Sequence, residues 1–190
     1  MKKKGKIRKE IKQKIKFFIT NADKYLCRSL LSFYYRLNLP TLLLSFIAFE
    51  LLLKGDLVYI YKEEAEDYID KKLKKYSHDL VKIYKILYRK FPILKDNDIE
   101  ILLGNYCGKI IFKGDIINQS SMYERARYSA GVILISQFEN EVLDPYLSLR
   151  GKISSLVRNE IGNLPLLKQY EKIIKKFHRS FRKNQLGKVK

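Results

Sequence analysis

Thr41–Tyr61, TLLLSFIAFELLLKGDLVYIY, is the stretch from which the rest of the chain can be read. It is apolar nearly all round instead of along one stripe, the pattern of a helix enclosed by other helices. Its most apolar part, Leu42–Leu53, is about a dozen residues long and contains Glu50. A membrane span needs about 20 apolar residues, so the stretch predicts the central helix of a bundle and no transmembrane segment. Asn38-Leu39-Pro40 precedes it. Pro40 suits a first helical turn, where its missing N–H is not needed.

On the N-terminal side, Ile7, Ile11, Ile15, Phe18 and Ala22 recur at steps of three and four on an otherwise basic segment. That spacing predicts an amphipathic helix docked by its apolar stripe. A second helix is expected from about Lys24 to Leu37, with Leu26, Leu30, Phe33 and Tyr34 turned inward. On the C-terminal side, Lys62–Lys75 alternates acids with bases and reads as a solvated helical connection. Ser77 reads as an N-cap with Asp79 in the first turn. Leu80, Ile83, Tyr84 and Leu87 then mark the buried face of a helix that stops near Phe91-Pro92. Asp96-Asn97-Asp98 is the cap signal of a short helix ending at Tyr106. Gly108–Ser121 reads as a loop with a short extended piece at most. Helix is expected again from near Met122 to about Asn163, broken at Gly131 and at Asp144-Pro145. A last one, Leu166–Arg182, carries the stripe Leu167, Tyr170, Ile174, Phe177 and Phe181.

Hydrophobic residues make up 46% of the 190, with four Pro and nine Gly, enough apolar content for one cored domain of long elements. The expected fold is an all-α, single-domain helical bundle of about five to seven helices. Residues 1–23 form a basic amphipathic N-terminal helix, 24–163 the bundle, and 164–190 a basic C-terminal helix and tail. Cys27 and Cys107 match no metal-ligand spacing and read as free thiols in a reducing cytoplasm. No apolar run with a small-residue cleavage site follows the basic N-terminus, so it does not read as a secretory signal.

Charge is concentrated at the two ends. Residues 1–16 hold nine Lys or Arg and one acid, and so do residues 168–190, placing +16 of the formal +19 in those two segments. Such faces attract phosphates through counterion release. The expected nucleic-acid-binding residues are Lys2, Lys3, Lys4, Lys6, Arg8, Lys9, Lys12 and Lys16 at one end. At the other they are Lys172, Lys175, Lys176, Arg179, Arg182 and Lys183. Tyr170, Phe177 and Phe181 interleave with the second set and are expected to pack in the core. An anionic membrane surface and an acidic protein partner are the competing readings of the same charge.

Three short signatures occur in order: Ala48-Phe49-Glu50-Leu51-Leu52-Leu53-Lys54, Ser77-His78-Asp79-Leu80, and Tyr123-Glu124-Arg125-Ala126-Arg127-Tyr128. Together they resemble the HEPN-domain family, with its A-x-E-x-x-x-K, H-D-L and A-R-Y segments, over residues 48–128. The resemblance implies a compact bundle of four or five helices, often dimeric. It also implies a role in RNA cleavage, nucleotide binding, or defence and toxin–antitoxin systems.

Catalytic members of that family place Arg, a polar residue and then His on one helix. The His serves as a base near the ribose 2′-hydroxyl and the Arg stabilises the charged transition state. The nearest segment here is Arg158-Asn159-Glu160-Ile161-Gly162-Asn163, with Asn163 where His is required. An amide does not titrate near neutrality, so the departure argues against metal-independent ribonuclease activity. Arg158, Asn159 and Asn163 are nonetheless the catalytic candidates of a divergent ribonuclease. His78 and His178 are the only histidines, which argues against a zinc site. His78 sits where an imidazole can join a helix cap. No phosphate loop, nucleophile elbow or carboxylate cluster is present, so neither cofactor nor metal is expected.

Overall fold

Helix α1, Lys9–Tyr34, and helix α2, Asn38–Ile60, form an antiparallel hairpin, the most extensive packing of two elements in the fold. They belong to a computed structural model that describes residues 7–107, 109–112, 115–118 and 139–162. The apolar stripe of α1 is buried at Ile7, Ile11, Ile15, Ile19, Ala22 and Leu26. It lies against α2, which buries residues on every side. Gly55 marks the closest approach: a Cβ built there would lie 3.0 Å from Ile19 Cγ1 and 3.2 Å from Phe18 Cβ. Ser29 Oγ donates to the Thr41 carbonyl at 2.6 Å and pins the other end of the pair.

Two expectations change here. One continuous α1 crosses residues 23 and 24, in place of the two helices expected, because nothing in Asn21–Lys24 interrupts the buried stripe. Tyr34, expected inward, is exposed at the end of that helix. The turn closes with Arg36 N–H on the Phe33 carbonyl and Leu37 N–H on the Ser32 carbonyl. That is a Schellman-type stop whose left-handed position, usually Gly, is held by Arg36 at φ 59°.

The acid- and base-rich connection splits into a turn at 61–64 and helix α3, Glu66–Tyr76, which buries Ile69 and Tyr76. Ser77, expected to cap the next helix, instead ends α3 with φ 39°. Asp79 is the actual N-cap of α4, Leu80–Lys90, its carboxylate accepting from Lys82 N–H at 3.1 Å. Leu80, Ile83, Tyr84 and Leu87 are all buried, as their spacing predicts. A 3₁₀ turn at Pro92–Leu94 leads to α5, Asn97–Tyr106, capped by Asp96 through Asp98 N–H and Ile99 N–H. Lys152 also reaches Asp96 at 3.0 Å. Burial works against the Asp96 charge, but Lys152 and the helix amides hold its carboxyl below the usual range.

Beyond α5 the expected loop contains an antiparallel pair, β1 (Lys109–Phe112) and β2 (Asp115–Asn118). Ile110 lies opposite Ile117 and Ile111 opposite Ile116. A π-helical turn, Glu139–Leu143, runs directly into α6, Asp144–Ile161. The expected break at Asp144-Pro145 is therefore a change of winding instead of a stop. Pro145 has no N–H for the carbonyl one turn back, and a wider turn accommodates that loss. The Gly131 break, the Tyr123–Tyr128 signature and the helix expected at Leu166–Arg182 lie outside the described residues. Among the described residues the architecture is an all-α bundle with one small hairpin, and no helix is long and apolar enough to cross a membrane.

Candidate nucleic-acid interface

Between Ile11 and Lys62 the chain has eight bases and three acids. All three acids are buried. Asp23, on α1, meets Arg150 of α6: Arg150 Nη2 donates to Asp23 Oδ2 at 3.0 Å and Nε to Oδ1 at 3.1 Å. The Tyr146 hydroxyl donates to the same carboxylate at 2.9 Å, and Arg150 Nη1 donates to Ser154. Burial raises the Tyr146 phenol well above its usual range, and the Asp23 charge adds to this. Every group in this cluster has a partner, which is the condition for tolerating a buried ion pair.

Glu50, on α2, accepts from Lys54 Nζ at 2.5 Å, one turn along the helix. It also meets His78 Nδ1 at 2.8 Å. A carboxylate only accepts, so His78 Nδ1 carries the proton in this bond. His78 therefore ties the α3–α4 turn to α2 rather than capping α4. Its ring is 58% exposed and lies beside Phe46, with centroids 6.4 Å apart. The Cys107 thiol donates to the His78 carbonyl at 3.7 Å. Two separate signatures thus contribute to one cluster, an exposed imidazole oriented by a nearly buried carboxylate. That geometry suits proton transfer as well as it suits a structural tie.

Asp56 is the third acid. It is completely buried, and neither carboxylate oxygen finds a hydrogen-bond partner. Burial raises its carboxyl to about 7.

With these acids withdrawn, Glu10 is the single exposed acid of α1, and the exposed side of the helix is cationic. Lys9, Lys16, Lys24 and Arg28 are exposed on it, and Lys12 is half-buried. Arg8 directly precedes α1, and its guanidinium donates to the Glu64 carbonyl. Lys14 is drawn to Asp70 at 2.6 Å and Glu66 at 3.3 Å of α3. Arg158 and Asn159 are exposed near the end of α6, next to Glu160, which takes Lys62 and the Tyr59 hydroxyl. Tyr59 lies nine residues along α2 from Glu50, about 14 Å of helical rise, so the structure does not unite Arg158 with the Glu50–His78 pair. Lys2, Lys3, Lys4, Lys6, Asn163, Lys172, Lys175, Lys176, Arg179, Arg182 and Lys183 lie outside the described residues.

The Asp23–Arg150 pair is absent from the expectations above, yet the sequence carries a signal for it. Asp23 follows Ala22 on the inward side of α1, and Arg150 stands between Tyr146 and Ile153 on an apolar stripe. A lone charge at an inward position asks for an opposite one. Cys27 and Cys107 form no disulfide, and burial pushes the Cys27 thiol up to about 12. Among the described residues no three His, Cys, Asp or Glu side chains gather as a metal site. No family model matches the sequence, and no curated protein or solved structure is significantly similar to it.

Proposed function

We propose that this chain is a HEPN-like nucleic-acid-binding protein that holds RNA or DNA by its phosphates without cutting it. The observation that carries the reading is the sorting of charge on the α1–α2 hairpin: all three acids between Ile11 and Lys62 are buried, while Lys16, Lys24, Arg28 and Arg36 are exposed. The basic ends, with +16 of the formal +19, extend the same attraction. The meeting of Glu50, Lys54 and His78 supports the family resemblance, and with it a defence or toxin–antitoxin setting.

The test is fluorescence anisotropy of labelled single-stranded RNA and duplex DNA across a salt series. If half a dozen phosphates are neutralised, affinity falls about a thousandfold between about 50 and 200 mM salt. Weak binding even at 50 mM salt refutes the reading and redirects the search to an acidic protein or a membrane surface. A second reading, ribonuclease activity, draws on the carboxylate-oriented His78 more than on Arg158. The same samples run on a gel decide it. Intact RNA is expected; metal-free cleavage lost in His78→Ala, or in Arg158→Ala, establishes the enzyme and its centre.

A further inference from the structure

Phe17 and Tyr35 are the two most exposed large hydrophobic side chains of the described residues, at 63% and 69%. Phe17 lies on α1 and Tyr35 is its C-cap; they are 18 residues apart, five full helical turns, so Tyr35 stands at the end of the edge that Phe17 occupies, about 27 Å away. Lys24 and Arg28 lie seven and eleven residues after Phe17, within about 20° of that edge. Both are exposed. From Ile11 to the C-cap Tyr35 the chain has a single acid, Asp23, and it is buried on Arg150. At the end of the edge Arg36 occupies a left-handed backbone position that Gly would hold with less strain. Tyr34 and Tyr35 meet there edge to face, with centroids 5.6 Å apart. Exposed rings and flanking cations thus share one line, and the locally strained Arg36 stands just beyond its end.

We infer that this edge of α1 is a platform for single-stranded nucleic acid, with Lys24, Arg28 and Arg36 on phosphates and Phe17 and Tyr35 under unpaired bases. The inference rests on the phosphate-binding reading and narrows it. A row of cations attracts duplex and single strand alike. Exposed rings add affinity only where base faces are accessible, as they are on a single strand and are not inside a duplex. A span of about 27 Å fits the short end of the range of about 4 to 16 nucleotides occupied by single-strand-binding modules.

The experiment compares binding of a labelled 12-nucleotide oligouridine, a 12-base-pair duplex and phosphatidylserine-containing vesicles to the full chain and to variants. Phe17→Ala and Tyr35→Ala are each expected to weaken oligouridine binding about 5- to 100-fold with an unchanged salt slope. Lys24→Gln and Arg28→Gln are expected to lower that slope by about 0.7 each. Duplex affinity should be indifferent to the two ring deletions. All four side chains are exposed, and unchanged thermal melting of the variants confirms that the fold is intact. Salt-sensitive binding to both nucleic acids that ignores Phe17→Ala and Tyr35→Ala overturns the platform and leaves the phosphate-binding reading standing. Failure to bind either nucleic acid at 50 mM salt overturns both. Vesicle binding that exceeds RNA binding and is lost with the rings overturns the platform in favour of a membrane surface.

Discussion

Replacing Asp56 with asparagine should stabilise the protein, by an amount that grows with pH. Its carboxyl is fully buried and unpartnered, and burial raises it to about 7. An unfolded aspartate titrates near 3.9. Between those values the unfolded chain releases a proton that the folded chain keeps. Stability from this group is therefore fully present below about pH 4, falls as pH rises, and has been lost by about pH 8. Integration of the linkage gives a penalty of about 2 kcal/mol at pH 5 and about 4 kcal/mol at pH 8. An asparagine side chain at this position keeps the shape and cannot ionise, so the Asp56→Asn variant should escape the penalty at both. With a urea m-value of about 2 kcal/mol/M, the Asp56→Asn midpoint should exceed that of the parent by about 1 M at pH 5 and about 2 M at pH 8. Taking the difference between the two proteins at each pH removes the contributions of all other titrating groups. A difference that stays constant between pH 5 and 8 would refute the argument. A variant less stable than the parent at pH 8 would also refute it, by showing that the carboxylate has a cationic partner.

Arg150→Met should cost about 3–5 kcal/mol, because it strands Asp23 in the core. Asp23→Leu/Arg150→Met should recover most of that loss in the same urea titration, and no recovery would show that the pair is worth more than its replacement. Gly55→Ala adds a Cβ 3.0 Å from Ile19 Cγ1. Crowding of about 1–3 kcal/mol should outweigh the roughly 1 kcal/mol gain in helix propensity. Thermal melting should fall by about 3 °C, whereas a rise would mean that α1 moves aside freely. Arg36→Gly relieves the left-handed backbone and should raise the melting temperature by about 3 °C. A fall would show that the Arg36 side chain contributes more than the strain costs.

Much of the helical architecture was legible because periodic burial is a local property of sequence. The stripe Ile7, Ile11, Ile15 and Ala22 is buried as spaced, as is Leu80, Ile83, Tyr84 and Leu87. Caps were less legible. Asp79 and Ser77 are both good N-caps by type, and the choice between them depends on where α3 ends, which Tyr76 decides by packing into the core. The split expected at residue 23 failed because no residue of Asn21–Lys24 stops the helix, and the inward Asp23 is accommodated by Arg150, 127 residues later.

For the candidate site the division is sharper. Sequence alone determined the all-α class, the central place of α2 and the excess of positive charge, since each is a sum or a period over neighbouring residues. The Glu50–Lys54 pair is local in the same sense, because four residues make one helical turn. Only the tertiary structure decided that His78 joins that pair, that Asp23 turns inward to Arg150, and that Asp56 is enclosed without a partner. Contacts across tens of residues depend on how helices cross, and no local spacing encodes the crossing. Burial of those three acids is what leaves the hairpin surface cationic, so charge composition became a charged face only when the chain folded.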